Sequence, residues 1–384
     1  MKILHIAPNA PYNDYWGYQD NLLPKYQRKL GHEVAIIVPT LMHKDGLIVK
    51  TDEDDYMLDD GVRVFRKKYH NYHISVLNQL LTKMDILDLL LELKPDFIFF
   101  HGLISSTIFD VIKYKKINTK CIIVEDNHLD YNIGSHSHGI KKIIGRGYFR
   151  WINKKSVNYI EKVYGVTPWR KKYAEDYFRI PANKTDVLIM GADDEKIRFE
   201  NKNSIRNDIR KKFSIHSDDF LIVTGGKIDK KKNIHLLMEA VSNKNDIKLL
   251  VFGSIAEDVK TQFNQILNCS SNIIYIGWID ADQVYDYFFA ADLIAFPGQH
   301  SVLWEQACAS KVPCIFEKWD GMDHVNNGGN AIFFDEISVE SISESIESLK
   351  FSQQYYKMKE VANSEATDIY LYSNIAIKSL ECAH

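Results

Sequence analysis

The sequence has little of several features that would place it in well-known protein classes. Its five cysteines form no C-x-x-C pair and no zinc-type spacing, and three lie in apolar runs, which predicts small core residues in a reducing compartment. The formal net charge is −3, so no overall basic field favours nucleic acid as a partner. No uninterrupted apolar run is long enough to span a bilayer. The opening MKILHIAP predicts a short strand ending at Pro8, not a signal peptide. We expect a cytoplasmic protein whose contact with the inner face of the membrane, if any, is through its surface.

Two common nucleotide-binding signatures are also missing. No G-x-G-x-x-G follows the first predicted strand, which disfavours a dinucleotide-dependent oxidoreductase. No G-x-x-x-x-G-K-[ST] occurs, which disfavours a P-loop kinase.

The sequence does contain a regular alternation of strand and helix patterns. Strands such as EVAIIVP, PDFIFFHG, FLIVTGG and IKLLVFG are continuous apolar runs, which is typical of parallel sheets covered on both faces. A polar, charged stretch near residues 191–219 interrupts this pattern. We predict two α/β domains of the Rossmann-like, doubly wound type, 1–192 and 193–365, with a hinge near residue 192. Ligands of such sheets bind beyond the carboxyl ends of the strands.

One stretch at such a strand end is FPGQHSVLWEQACASKVPCIF, residues 296–316. Ser301 is a favourable helix N-cap, and the free N–H groups of a first helical turn bind anions. His300 can donate to a phosphate or a sugar, and Glu305 can accept two hydroxyls, for example from a ribose. The alternative is a capped core helix with a solvated glutamate.

Lysines follow another predicted strand end, in VTGGKIDKKKNIHLLMEAV. Glycines let a backbone approach a ligand closely, and Lys227 and Lys232 could neutralise a diphosphate. The alternative is a solvated basic turn.

In the first half, two neighbouring strands end in polar residues. His101 ends FIFFH, and Glu125, Asp126 and His128 follow CIIV. Residues at matching strand ends would face one shared crevice, although single histidines of this kind are more often structural.

Two stretches contain residues that could bind a metal ion. We interpret TDEDDYMLDDG (51–61), which contains a D-x-D, as a solvated loop, not a metal site. We interpret HSHG (136–139) also as a loop, so no metal is predicted.

Residues 139–164 carry seven Lys/Arg, one Glu and an apolar stripe formed by Ile140, Ile143, Ile144, Tyr148, Trp151 and Ile152. This segment is either a helix that lies on anionic lipid or a basic helix packed on its own sheet.

Taken together, these stretches resemble the family-four retaining glycosyltransferases with a GT-B fold, of the bacterial surface-polysaccharide type, along nearly the whole chain. The first strand and the loop containing Gly17 resemble the family's start, and Gly17 would approach donor and acceptor. GGKIDKKKN resembles the family's G-R-L-x-x-x-K-G, with Lys227 and Lys232 at the positions that hold the donor diphosphate. In residues 296–316, Glu305 matches the second of two family glutamates, whose role is to bind the donor ribose. The first glutamate is missing, Gly298 to Ser301 stand in its place, and His300 is a hypothetical substitute.

The resemblance implies a retaining, metal-independent hexosyl- or N-acetylhexosaminyl-transferase without a cofactor. Its donor would be a nucleotide sugar, expected to be UDP-linked, and its acceptor a glycan or lipid-linked glycan; nucleic acid is not expected. The amides around Ser301 and Val302 would help to bind the diphosphate, and His101 and His128 would orient hydroxyls. The final segment, 366–384, would be a crossover helix that packs on the first domain. Two alternatives stay open, a non-catalytic nucleotide-sugar binder and a nucleotide-sugar epimerase.

Overall fold

The computed structural model describes residues 1–71, 83–131, 140–242 and 244–383, and for residues 140–144 only the backbone. The sequence pattern HISVLNQLLTKMDILDLLLELK, residues 73–94, predicts a helix, and this segment lies partly outside the described residues. The HSHG stretch lies wholly outside them. Contacts divide the chain into two compact units, Met1–Ile189 with Ile375–His384, and Met190–Asn374. The predicted crossover segment, 366–384, therefore divides between the two units at Ile375.

The first unit is built on a sheet of eight strands in the order β10-β9-β8-β7-β1-β2-β6-β5. All neighbouring strands are parallel except β5 and β6. The strands described in this unit, including the separate hairpin β3–β4, are β1 (Lys2–Ile6), β2 (Glu33–Pro39), β3 (Leu41–Lys44), β4 (Leu47–Lys50), β5 (Asp54–Met57), β6 (Arg63–Lys67), β7 (Phe97–His101), β8 (Ile122–Asn127), β9 (Lys162–Gly165) and β10 (Thr185–Val187). The helices are α1 (Gln19–Lys29), α2 (Leu87–Leu93), α3 (Ile108–Ile117), α4 (Ile140–Ser156) and α5 (Pro168–Tyr173), the last followed by a π-helical turn, Ala174–Phe178.

The second unit has a sheet of six parallel strands in the order β13-β12-β11-β14-β15-β16. Its strands are β11 (Phe220–Ile228), β12 (Ile247–Ile255), β13 (Ile273–Tyr275), β14 (Leu293–Phe296), β15 (Cys314–Glu317) and β16 (Ala331–Phe334). Its helices are α6 (Lys202–Lys212), α7 (Ile234–Val241), α8 (Lys260–Cys269), α9 (Val284–Ala290), α10 (Leu303–Ala309), α11 (Val339–Leu349) and α12 (Gln353–Asn363); α13 (Tyr372–Ser379) follows across the unit boundary.

Both sheets follow the predicted Rossmann-like pattern because central strands such as β7 and β11 begin with continuous apolar runs. Residues 97–100 of β7 and 220–223 of β11 are fully buried, as expected for strands covered by helices on both faces. In each sheet the strand order reverses beside the first strand, between β1 and β7 and between β11 and β14. Such a reversal opens a crevice at the carboxyl ends of the two strands, where Rossmann-like folds bind ligands.

The sequence suggested that the acidic stretch 51–61 is a loop. The structure shows that part of it is a strand. Asp54–Met57 forms β5, antiparallel to β6 at the sheet edge, and Arg63 donates two hydrogen bonds to the Asp55 carboxylate at 2.7 and 2.6 Å. Cross-strand ion pairing therefore allows a very polar sequence to form an exposed edge strand.

The basic segment on α4 divides between core and surface in its described part. Ile152 is buried in the core of the first unit, and Tyr148 packs against that core. Trp151 is 48% exposed. Part of the apolar stripe thus packs on its own domain, and membrane binding by residues 139–164 stays a prediction. Among the described residues, no helix is both long and apolar enough to cross a bilayer.

Candidate functional site

Two clusters of polar side chains lie at the strand-order reversals, one in each unit. The cluster in the second unit contains the residues that the sequence predicted for nucleotide-sugar binding. The cluster in the first unit contains the predicted histidines.

The second-unit cluster is built on the loops that follow β11 and β14. The Lys232 ammonium donates hydrogen bonds to the backbone carbonyls of Gln299 and, at 3.3 Å, His300. Asn233 donates its amide to the Pro297 carbonyl at 3.1 Å. These bonds fix the turn after β14 against the turn after β11.

Gly298 is required for this close approach. A Cβ placed at Gly298 would lie 2.3 Å from the carbonyl carbon of Lys232, which no side chain can occupy without moving the backbone. The P-G dipeptide that interrupts the sequence after β14 is therefore explained by backbone contact between the two loops.

Lys232 carries a charge in a partly desolvated position. Burial lowers its pKa, the nearby Lys227 lowers it further, and Asp229 and Glu317 partly offset these effects. Lys227 is the second-last residue of β11, its side chain is 70% exposed, and its ammonium lies 3.4 Å from the Asp229 carboxylate. The two predicted lysines thus differ, because Lys232 is built into the structure and Lys227 is a solvated side chain.

Glu305 lies in the first turn of α10 and is fully buried. Its Oε1 accepts hydrogen bonds from Nε2 of His300 and Nε2 of His324, each at 2.8 Å. Burial alone would raise the pKa of Glu305, but the charge and hydrogen bond of His300 and those of His324 outweigh it and hold the pKa well below its usual range. Oε2 has no hydrogen-bond partner among the described residues. The site therefore contains a buried, ionised carboxylate, one oxygen of which accepts no hydrogen bond from the described residues.

The helix start differs from the prediction. α10 begins at Leu303, its N-cap is Val302, and no side chain caps it. Ser301 contributes its backbone carbonyl, which accepts the Trp304 N–H at 2.9 Å, and not its hydroxyl. The capping interpretation of Ser301 is wrong because the turn from Gly298 onward extends one residue further, so that Val302 and not Ser301 precedes the helix. Trp304 stacks on Phe316 with ring centroids 4.6 Å apart, which anchors this short helix to β15.

In the first unit, both predicted histidines meet on one carboxylate. His101 Nδ1 lies 2.7 Å and His128 Nε2 lies 3.3 Å from Oδ2 of Asp126, whose Oδ1 accepts the Gly102 N–H at 2.9 Å. Burial would raise the pKa of Asp126, but the charges and hydrogen bonds of the two histidines hold it well below its usual range. His101 and Asp126 are buried, whereas the His128 side chain is 43% exposed. His128 is therefore the member of this cluster that solutes can reach.

Glu125 and Gly17, which the sequence also singled out, do not join these contacts. Glu125 alternates with Asp126 on β8 and so faces the other side of the sheet. It is buried, and burial, followed by the charge of Asp126, raises its pKa to about 8. Gly17 is exposed in the loop before α1, with no described atom within 4 Å of the position of a Cβ.

Sequence reasoning missed several partners of these clusters. His324 lies 19 residues after Glu305 in the loop GMDHVNN, where no local pattern marks it. His5 interrupts the otherwise apolar strand KILHI, and that interruption was a usable signal.

In each cluster, three possible metal-ligand atoms lie close enough together to bind one ion. In the groups His101–Asp126–His128 and His300–Glu305–His324, the possible ligand atoms lie within 4.8 Å of one another. In both groups, however, imidazole nitrogens already hydrogen bond to the carboxylate, so the same atoms are satisfied without a cation. Metal independence stays a prediction.

Comparison with known proteins identifies the class to which this geometry belongs. Residues 22–196 match the family model described as Glycosyltransferase Family 4, and residues 205–366 match Glycosyl transferases group 1. The chain belongs to the group 1, family 4 glycosyltransferases. The two matches together cover most of the two units, so the glycosyltransferase assignment applies to both halves of the chain.

Individual relatives of this glycosyltransferase are distant. It is 24% identical over 373 residues to TuaC of Bacillus subtilis (strain 168), whose name assigns it to teichuronic acid biosynthesis as a glycosyltransferase; the match covers 90% of this chain and 88% of TuaC. A glycosyltransferase structure from Rickettsia africae superposes with a TM-score of 0.68 at 16% identity, covering 99% of this chain and 97% of the other. The Anabaena protein HepE, crystallised with UDP, gives a TM-score of 0.68 at 14% identity, covering 100% and 99%. These structures confirm the predicted GT-B fold.

Proposed function

We propose that this glycosyltransferase moves a hexosyl or N-acetylhexosaminyl group from a UDP-sugar to a glycan or lipid-linked glycan during assembly of a surface polysaccharide. The reaction retains the configuration of the sugar and needs no metal. The observation that carries the proposal is the cluster of Lys232, the turn 297–300 and Glu305 at the strand-order reversal of the second unit. The name of TuaC supports the polysaccharide context, and the HepE complex supports UDP as the nucleotide.

Lys232 is suited to bind the diphosphate. Its ammonium has three N–H donors, and two of them bond to the carbonyls of Gln299 and His300. The third donor, and a charge that has lost part of its hydration, can stabilise negative charge as the nucleotide leaves. The same bonds hold the turn in place before the donor binds, so little reorganisation is needed during the reaction.

Glu305 is suited to fix the nucleoside. Its Oε1 is oriented by two histidines, and Oε2 can accept a ribose hydroxyl. An ionised carboxylate is a strong acceptor of neutral hydroxyl donors. His300 lies between this carboxylate and the turn bound by Lys232, where it can take the place of the missing family glutamate.

His128 is the proposed contact for the reacting sugar hydroxyls. Its Nε2 hydrogen bonds to Asp126, which leaves Nδ1 for another partner, and 43% of the side chain is exposed. A positioned imidazole nitrogen can accept a hydrogen bond from a hydroxyl and orient it.

Calorimetric titration of the full chain with UDP and with UDP-sugars tests the proposal. We expect Lys232→Met to weaken UDP binding by about 10- to 100-fold, since a charge-assisted hydrogen bond contributes about 1.5–3 kcal/mol. Lys231→Met is the matched control, because Lys231 is an exposed lysine of the same turn and should leave affinity unchanged. Equal affinity of all three proteins for UDP would contradict the proposed donor site.

Turnover assays separate the alternatives. A transferase is expected to hydrolyse its UDP-sugar slowly without acceptor and to keep the same rate in the presence of a chelator. A binder releases no UDP, and an epimerase converts the UDP-sugar to an epimer without releasing UDP.

A further inference from the structure

A continuous chain of buried polar side chains connects α13 to the Asp126 cluster. The Ser379 hydroxyl lies 2.6 Å from the Ala376 carbonyl, and the Gln27 amide nitrogen lies 2.9 Å from the Ser379 oxygen. The Gln27 oxygen lies 2.7 Å from Nε2 of His5, and Nδ1 of His5 lies 3.0 Å from Nε2 of His101. Ser379, Gln27 and His5 have no exposed surface. Buried polar groups of this kind are expected to form a fully satisfied network.

The direction of every hydrogen bond in this chain is fixed from its first member. A backbone carbonyl can only accept, so Ser379 donates its one hydroxyl hydrogen to Ala376. The Ser379 oxygen must then accept, and the group of Gln27 facing it must be the NH₂ group. The carbonyl oxygen of Gln27 therefore faces His5 and accepts from its Nε2–H.

The orientation of the Gln27 amide determines which ring nitrogens of His5 and His101 carry hydrogens. Burial, and then the charge of His101, lowers the pKa of His5 to about 3, so His5 is neutral and has one ring hydrogen. That hydrogen is on Nε2, which leaves Nδ1 as an acceptor. Nε2 of His101 must donate to it, and Nδ1 of His101 must also donate, because the Asp126 carboxylate facing it at 2.7 Å only accepts.

The surroundings of His101 favour a positive charge. Burial alone would lower the pKa of His101, but the charge and hydrogen bond of Asp126, together with the charge of Asp20 near the start of α1, raise it. His5 faces it as a neutral ring, and His128 bonds to the same oxygen of Asp126. A buried charge of this kind is tolerated when it is paired and both partners are hydrogen-bonded.

We propose that His101 is held permanently as an imidazolium ion by this one-directional hydrogen-bond chain, with Ser379, Gln27 and His5 as positioning residues. Its consequence rests on the role proposed for His128. Asp126 stays a carboxylate acceptor, so Nε2 of His128 must carry a hydrogen and Nδ1 of neutral His128 is the acceptor presented to a hydroxyl. The hydroxyl of Ser379 on α13 thus determines the charge of His101, and the Asp126 carboxylate that pairs with His101 also holds the exposed imidazole of His128.

A definite alternative exists and makes the proposal testable. If the Gln27 amide were reversed, His5 would carry its hydrogen on Nδ1 and His101 would be neutral, with a bare Nε2. This alternative places the Gln27 oxygen against the Ser379 oxygen, which is free to donate only if it gives up its bond to Ala376. The two states differ by one proton on His101 and can be distinguished by spectroscopy.

The experiment is nitrogen NMR of the full chain labelled with ¹⁵N-histidine at about pH 8, well above the ~6.5 at which free histidine titrates. The His101 signals are assigned by their loss in His101→Gln and, if that variant does not fold, in His101→Asn. We expect both ring nitrogens of His101 to be protonated and His5 to be protonated at Nε2 alone. A bare nitrogen on His101, or no imidazolium in the whole wild-type spectrum, would overturn the proposal.

Variants at the start of the chain test its direction. Ser379→Ala removes the acceptor that orients Gln27, so we expect His101 to lose its second proton at about pH 8. Ser373→Ala, on the same helix and outside the chain, should leave the spectrum unchanged. An imidazolium that persists in Ser379→Ala would contradict the role given to Ser379.

Kinetics connect this result to the reaction. We expect Ser379→Ala to change the pH profile of kcat and leave the dissociation constant for UDP unchanged, because the second-unit cluster is not altered. The NMR result holds whether or not the chain turns over a UDP-sugar, and UDP titration tests the donor site independently. Failure of one proposal is therefore distinguishable from failure of the other.

Discussion

The buried carboxylate of Glu305 gives a quantitative prediction for the second unit. Glu305→Gln keeps the size of the side chain and an acceptor oxygen, but the two hydrogen bonds from His300 and His324 become neutral. Charge-assisted hydrogen bonds contribute about 1.5–3 kcal/mol and neutral ones about 0.5–1.5. We therefore expect a loss of about 1–1.5 kcal/mol per bond, or about 2–3 kcal/mol for both. A full truncation such as Glu305→Ala should cost about 3–5 kcal/mol, because it removes the carboxylate that pairs with two buried imidazoles.

Urea unfolding measures this loss. With a denaturant slope of about 2 kcal/mol per molar urea, the transition of the second unit should shift by about 1–1.5 M. The units can unfold separately, so the midpoint of the affected transition is the quantity to compare, not one free energy for the whole chain.

The lowered pKa of Glu305 determines how the free energy of unfolding changes with pH. The pKa of Glu305 is lower in the folded protein than in the unfolded chain, where it is about 4.3. The stabilisation is complete above that unfolded value and is lost as the pH falls through the folded-state pKa. The difference between wild type and Glu305→Gln should therefore narrow as the pH is lowered from about 6 to about 3.

Glu317→Gln on β15 is the matched control, because burial raises the pKa of Glu317. Its charge is disfavoured in the folded protein, so its removal should not destabilise at neutral pH. Equal urea midpoints for Glu305→Gln and wild type at neutral pH would refute the reasoning. A difference between these two midpoints that widens as the pH is lowered would also refute it.

Three further predictions follow from the same contacts. Gly298→Ala should weaken UDP binding at least tenfold by calorimetry, because the added Cβ overlaps the Lys232 backbone. Gly147→Ala is the control, because it lies at an open helical position and should raise the free energy of unfolding by up to about 1 kcal/mol. Unchanged UDP affinity in Gly298→Ala would mean that the turn is free to move. Glu125 has a pKa of about 8, so wild type should lose stability relative to Glu125→Gln as the pH rises from about 4.3 through about 8, and a flat difference in thermal midpoint would contradict this. Asp292→Asn should cost about 3 kcal/mol in urea, because Asp292 accepts from two arginines at 2.6 and 3.1 Å; a midpoint within about 0.5 kcal/mol of wild type would show that the arginines find other partners.

The sequence predicted the sheets well because their signal is local. A run such as FIFF or FLIV is long enough to form a strand buried on both faces, and the intervening amphipathic stretches form the crossover helices. The edge strand β5 was missed because its stability depends on β6 and on Arg63, which local composition does not show. The predicted cap of α10 lies one residue early because the preceding turn is shaped by Lys232, a residue more than 60 positions away.

The site was predictable as a set of strand ends but not as a set of contacts. Lys232, Glu305, His101 and His128 could be chosen because parallel strands bring their carboxyl ends to one edge. Their partners come from distant parts of the chain, as His324 does for Glu305. No local pattern marks a residue whose function is to orient another.

The two clusters share one arrangement and differ in exposure. In each, a buried carboxylate accepts hydrogen bonds from two imidazoles on a single oxygen, so the acid is ionised and fixed in orientation. In the second unit both histidine side chains are buried, at 4% and 7% exposure, and the second carboxylate oxygen has no described partner. In the first unit the second oxygen is satisfied by a backbone N–H, and one histidine, His128, is exposed. The unused hydrogen-bonding group is therefore a buried carboxylate oxygen in one unit and an exposed imidazole in the other, as expected if the second unit fixes hydroxyls of the nucleotide and the first positions those of the reacting sugars.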